Sequence, residues 1–162
     1  MMQHKTVIVG AGTAGMALQH RLSRYYNQQG SVGVIEPTKT HYYQPLWTLV
    51  GGGKKSLQET GRPMSTLMHN QVHWHQDQLA SFQPKLNKIT LKSGFELEYE
   101  NLIVATGIQL NFAAIQGLTE SLAGPVENGV CSNYDKNTVL RTWENVQRLT
   151  ELAKIEKKQQ IF

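Results

Sequence analysis

Gly10-Ala11-Gly12-Thr13-Ala14-Gly15 is a G-x-G-x-x-G run. It follows the β-branched stretch Thr6-Val-Ile-Val9 directly and opens a segment with helical spacing. In that setting each glycine has separate work: the first permits a tight turn, the second lets backbone approach a pyrophosphate, and the third lets helix and strand pack closely. The start of the helix adds unpaired N–H groups and a positive dipole end, both suited to an anion. Glu36 closes the next apolar run, about 20 residues beyond the glycines, where an acid binds ribose hydroxyls. An acid there favours a free ribose over a 2′-phosphate, and it does not separate NAD from FAD. Leu102 to Ala105 reads as a buried strand that runs into Thr106-Gly107. That brings a second backbone turn to the edge of the sheet where such folds bind ligands.

Other residues that could do chemistry read more plainly. His73 and His75 alternate with Trp74 and share one strand face, with Asp77 on it if the strand continues. Two histidines can begin a metal site, but no convincing further ligand follows, and a solvated face is the reading preferred. Lys54 and Lys55 are loop cations that could meet a phosphate, and the plainer reading leaves them solvated. Arg141, Arg148, Lys154, Lys157 and Lys158 read as the solvent face of the last helix. Cys131 is the one cysteine of the chain. A thiolate near a helix start would be activated. The preferred reading is a partly buried cysteine acting as a small apolar group.

The elements that must position these residues follow from periodicity. Thr6–Val9, a helix over residues 13–29 and Val32–Ile35 form a β-α-β unit within about 30 residues. Right-handed crossover makes the two strands parallel neighbours. Residues 37–45 read as a loop, 62–68 as a helix and 72–74 as a short strand. Residues 78–98 alternate and are punctuated by Pro84, Asn87 and Gly94, which predicts a small antiparallel meander. Residues 111–129 read as irregular. Residues 135–154 form an amphipathic helix with Val139, Trp143, Val146, Leu149 and Leu152 on one side. The fold class is α/β: a Rossmann-like domain with a parallel central sheet, a covering meander and helices on both faces.

The whole chain fits that class. It has 162 residues, 40% hydrophobic and 17% charged. That is long enough to bury a core and unlike a disordered chain. The net charge of +4 is scattered, so nucleic acid is not implied as a partner. A single cysteine excludes an internal disulfide. No apolar run approaches the roughly 18 residues of a membrane span. No signal peptide is expected, because a strand begins almost at once. The ending on Ile161-Phe162 reads as the opening of a further strand, so the domain of residues 1–162 is expected to be incomplete.

The glycine run, Glu36 and Ala105-Thr106-Gly107 resemble the FAD domain of the two-dinucleotide-binding-domain flavoproteins. The segment His41-Tyr-Tyr-Gln-Pro-Leu-Trp-Thr-Leu-Val-Gly-Gly-Gly53 closely resembles sulfide:quinone oxidoreductases, particularly the branch that includes the mitochondrial enzymes. Ser132-Asn133-Tyr134 and the helix after it fit the same branch. The resemblance covers nearly the whole chain and less than half of a full family member. It implies FAD as cofactor, with Gly12, Thr13, Ala14 and Gly15 at the pyrophosphate and Glu36 at the ribose. It also implies Gln44 near FAD, the Leu79 backbone at adenine, and Thr106 and Gly107 against the cofactor. His41 falls in the same loop, with a structural hydrogen bond as likely a role as any in proton movement. The family oxidises sulfide through a cysteine pair beside the flavin and reduces quinone. That pair and a membrane-associating part lie beyond this chain, so Cys131 is the only thiol here that could be catalytic. Some family members carry an additional cysteine at this place. The resemblance implies work at a membrane surface, at a bacterial inner membrane or in the cytoplasm, or at the mitochondrial inner membrane after loss of a presequence. A type II NADH dehydrogenase-like flavoprotein and a non-catalytic nucleotide-binding module are the alternatives, and oligomeric state is open.

Overall fold

The computed structural model describes residues 2–159, with side chains described through residue 156. The chain forms two compact units: Met1–His41 with Arg62–Ile108, and Tyr42–Gly61 with Gln109–Phe162. In chain order the strands are β1 (Met2–Val9), β2 (Val32–Ile35), β3 (Thr40–Tyr42), β4 (Gly61–Pro63), β5 (His73–His75), β6 (Leu79–Gln83), β7 (Lys88–Leu91) and β8 (Glu96–Val104). The helices are α1 (Thr13–Tyr26), α2 (Trp47–Gly51), α3 (Met64–Leu67), α4 (Leu118–Ala123) and α5 (Val139–Gln159).

The first unit holds a six-stranded sheet in the order β5-β2-β1-β8-β7-β6. β1 lies at its heart and pairs in parallel with both β2 and β8. β5 extends the parallel part beyond β2. Side chains alternate across the pleat. Val7, Val9 and Ile35 face one way and pack with Ile89, Leu91, Leu97 and Tyr99. Ile8, Val32 and Val34 face the other way and pack with Ala11 and Met64, joined by Met16, Leu18, Leu22 and Tyr26. α1 and α3 therefore cover one face of the parallel strands, while side chains of the meander strands fill the other. The expected helices on both faces give way here to strand residues, because Ile89, Leu91 and Leu97 are fully or almost fully buried and supply that apolar layer.

The meander is present as β6-β7-β8, antiparallel throughout. It is continuous with the parallel sheet, since β8 is both its last strand and the parallel partner of β1. One strand of 9 residues thus replaces the shorter strand expected at residues 102–105. Its tip is more open than expected, with Val104 56% exposed. The stretch read as a loop at 37–45 contains β3, and a separate two-stranded sheet pairs β3 with β4.

The second unit is built on the two segments that carried the family resemblance. Trp47, Val50 and Val139 form its core, joined by Tyr42 and Leu57. Asn133 lies against Gly51, and Thr142 donates its hydroxyl to the Asn133 Oδ1 at 2.8 Å. The stretch read as irregular holds α4 and two short 3-10 turns, at Phe112–Ala114 and Val126–Asn128. Arg141 is half-buried rather than solvated. Its guanidinium donates to the carbonyls of Gly124 at 2.7 Å, Pro125 at 3.1 Å and Val130 at 3.2 Å. Five fixed donors let one arginine satisfy several loop carbonyls at once. α5 starts at Val139, later than expected, and buries Val139 and Asn145. Val146, Leu149 and Leu152 are exposed in spite of their apolar spacing. The expected strand start at Ile161-Phe162 lies outside the described residues.

Burial separates two leucines that the sequence treats alike. Leu97→Ala removes a side chain with no exposed surface and is expected to cost about 2–5 kcal/mol. Leu149→Ala, at a site 56% exposed, is expected to stay within about 0.5 kcal/mol of the parent. Urea unfolding midpoints compare the two; equal losses would contradict this placement of the core.

Candidate functional site

The parallel strands end in register. Val9 stands opposite Ile35 on one side and Val104 on the other. The chain therefore leaves β1, β2 and β8 at one edge, and main-chain bonds seal it: Gly10 N–H to Ile35 O at 2.9 Å and Ala105 N–H to Val9 O at 2.8 Å. Gly10 has φ +97°, and a side chain there would meet the Ala105 carbonyl. A side chain at Gly15 would run into the Gly10 carbonyl oxygen, so helix and turn are in contact without one. Gly12 differs. A Cβ there would meet nothing within 4 Å. It is the N-cap of α1 with no side-chain cap, and no acid occupies the first turn. The N–H groups at the start of a 14-residue helix are thus left for a ligand or solvent.

Glu36 is the hub of this edge. Its Oε2 accepts the Ala11 N–H at 2.9 Å, and its Oε1 accepts the Thr38 N–H at 2.8 Å and the Thr38 hydroxyl at 2.7 Å. The Glu36 main chain is held as well: its N–H donates to His75 O at 3.1 Å and its carbonyl accepts the Trp74 indole at 2.8 Å. His41 donates from Nδ1 to the Ala11 carbonyl at 3.2 Å, so it braces the glycine turn.

A cleft of about 500 Å³ opens at this edge, with Gly10, Glu36, Leu79, Lys92 and Thr106 in its lining. It brings together residues from five separate stretches of the sequence. Thr13 and Ala14 follow Gly12 in the first turn of α1 and are exposed, and Gly107 follows Thr106 with φ +72°. Asp77 lines the same cleft. Hydrogen bonds from Ser93 and from the Gln78 N–H hold its carboxyl below the usual carboxylate range. Lys92 and Thr38 carried no signal of their own in the sequence, because a lysine and a threonine in polar loops are too common to stand out.

Gln44 and Cys131 belong to the second unit. Gln44 donates its amide to the Tyr134 carbonyl at 3.3 Å, which links the two family-like segments. Cys131 is exposed rather than partly buried. It also precedes the start of α5 at Val139 by two turns' worth of chain, and a helix dipole acts only within the first turn.

The histidines correct a further expectation. His75 is buried and only His73 is exposed. The partner that the sequence did not announce is His4 on β1, itself buried. His4 donates from Nδ1 to Gly30 O at 2.6 Å, which leaves its Nε2 to accept the His75 Nε2–H at 2.9 Å. The rings pack closely over Gly33, where any side chain would strike the His4 imidazole. His73 stacks on His75 with centroids 4.4 Å apart. Burial first, then His73 and His4, push His75 down to about 4; burial and His73 lower His4 against the bond to Gly30. Among the described residues, no three His, Cys, Asp or Glu side chains are arranged to hold a metal ion.

The profile of the pyridine nucleotide-disulphide oxidoreductases matches residues 4–158. The mitochondrial sulfide:quinone oxidoreductase of Dictyostelium discoideum is 36% identical over 145 residues, covering 90% of this chain and 31% of that protein. The mitochondrial sulfide:quinone oxidoreductase of Mus musculus is 37% identical over 148 residues, covering 91% of this chain and 32% of that one. The chain thus spans about a third of the length of these curated relatives. The crystal structure of the sulfide:quinone oxidoreductase from Aquifex aeolicus superposes with a TM-score of 0.71 at 20% identity, over 93% of this chain and 33% of that one. At that identity the superposition speaks for the fold.

The buried histidine pair predicts a pH dependence. Both groups are lowered in the folded chain, so between about 4 and 6.5 the unfolded chain binds more protons. Stability is then full above 6.5 and is lost as pH falls toward 4. Thermal midpoints of the parent should drop across that window, and His75→Gln should flatten the slope. An unchanged slope in the variant would contradict a neutral His4–His75 pair.

Proposed function

The chain belongs to the pyridine nucleotide-disulphide oxidoreductase family, and on that premise we propose that it is the FAD-holding part of a sulfide:quinone oxidoreductase. It is an FAD-binding oxidoreductase domain; sulfide as the electron donor, quinone as the acceptor and the membrane surface as the place of action are the finer reading. That reading is supported by the 36% and 37% identity to two sulfide:quinone oxidoreductases over nearly the whole chain. Among the described residues no helix is long and apolar enough to cross a membrane. Under this reading, contact with the membrane surface falls to the part of the relatives that this chain does not span.

The observation that carries the cofactor site is the meeting of Gly10, Glu36, Leu79 and Thr106 in one cleft beside an uncapped helix start. The space at Gly12 and the N–H groups of Gly12, Thr13, Ala14 and Gly15 suit the pyrophosphate. Glu36 suits the adenosine ribose, and its carboxylate disfavours a 2′-phosphate. Leu79 offers backbone to the adenine, which any side chain would allow. Thr106 and Gly107 lie where the chain turns at the mouth of the cleft. Gln44 is assigned to the cofactor by family resemblance. Cys131 is retained as a candidate catalytic cysteine for sulfur chemistry, supported by its exposure.

When bound, FAD supplies two-electron chemistry between a sulfur donor and a quinone. The work of this chain's own residues is binding and orientation. The start of α1 neutralises phosphate charge with fixed dipoles that need no reorganisation. Glu36 orients the nucleotide while tying the glycine turn to β2. His41 fixes the Ala11 carbonyl and so the path of that turn.

Flavin retention tests the assignment. Purified chain mixed with FAD and desalted is expected to keep the flavin bands in its visible spectrum. Gly12→Val should lower the thermal midpoint by no more than the modest cost of a poorer N-cap, since the new side chain enters open space, yet bind FAD at least about tenfold more weakly because that space is the pyrophosphate's. A parent that retains no flavin, or a Gly12→Val protein that binds FAD as the parent does, would overturn the placement.

A further inference from the structure

We propose that Thr38 is a positioning residue for ribose recognition: it clamps the Glu36 carboxylate so that one acceptor site remains open toward a vicinal diol. The inference rests on the cofactor reading above and adds a residue to it. A carboxylate has about four acceptor sites, two on each oxygen. Thr38 takes both on Oε1, through its N–H at 2.8 Å and its hydroxyl at 2.7 Å. Ala11 takes one on Oε2 with its N–H at 2.9 Å. What remains is a single site on Oε2, the oxygen already aimed at the glycine turn.

Glu36 needs such a clamp. It is only half-buried, so packing alone does not choose its rotamer. A free glutamate side chain loses much rotamer freedom when a ligand fixes it, and that loss weakens binding. Thr38 removes the loss before the ligand arrives. The local sequence makes this possible: Pro37 holds its own φ near −65°, which turns the chain so that the residue after it comes back over the carboxylate. Hydrogen bonds to an ionised oxygen are short and strong compared with neutral ones, in keeping with the 2.7 Å contact.

The test compares Thr38→Val, Thr38→Ser and the parent, titrated with adenosine diphosphate and with its 2′,3′-dideoxy analogue by calorimetry. Thermal midpoints serve as the folding control. Thr38→Val should weaken binding of the diphosphate about tenfold, the loss expected for one hydrogen bond to a charged group. Thr38→Ser should stay within about twofold of the parent, since the donor is kept. The dideoxy analogue should bind the parent and both variants alike. Equal binding of the diphosphate by the parent and Thr38→Val overturns the clamp, and so does an equal loss for the dideoxy analogue, which would make Thr38 a general support of the loop. A parent that binds neither the diphosphate nor FAD overturns the nucleotide reading, and this proposal with it.

Discussion

The register of three parallel strands is the constraint on which the site depends. Val9, Ile35 and Val104 end level with one another, and β1 is held from both sides. Every residue from Thr6 to Val9 is buried, with Val7 and Val9 packed in one core and Ile8 in the other, so β1 is fixed by packing on both faces as well as by pairing on both edges. That fixed ending delivers the glycine turn, Glu36 and the Ala105–Gly107 turn to one edge. The cleft has no need of flexible loops to assemble it, because strand pairing has already placed its walls.

The same edge shows how backbone and side chain divide the labour. The glycine turn presents N–H groups, and its shape is set by contacts that exclude side chains at Gly10 and Gly15. Glu36 is held twice over, by its own backbone to His75 and Trp74 of β5, and by its carboxylate between Ala11 and Thr38. The histidine cluster sits one step behind it. His75 lends its carbonyl to the Glu36 N–H while its ring is locked to His4. The neutral His4–His75 pair therefore lies directly behind the strand whose backbone holds Glu36.

Much of the first unit was legible because its signals are local. Glycine spacing, the β-branched run before it and the acid after β2 are each properties of a few neighbouring residues. Leu79 entered through family resemblance and then met Glu36 and Thr106 in the cleft. The helix over residues 135–154 misled for the opposite reason. Its apolar spacing is real, yet what a helix buries depends on which neighbours reach it, and only Val139 and Asn145 are covered while Leu149 is not. Arg141 looked like solvent decoration because its partners are backbone carbonyls, which carry no residue signature.

The amino-acid sequence by itself determined the β-α-β start, the glycine turn, the acid that follows β2 and the family. These follow from steric rules and turn chemistry that act within about 30 residues. The tertiary structure alone decided that the meander and the parallel sheet share β8, that strand residues cover the second face, that His4 pairs with His75 and that Thr38 holds Glu36. Each of those depends on a contact whose partners are chosen by strand order or by the path of a turn. A one-dimensional pattern records which faces are apolar and does not record what will cover them.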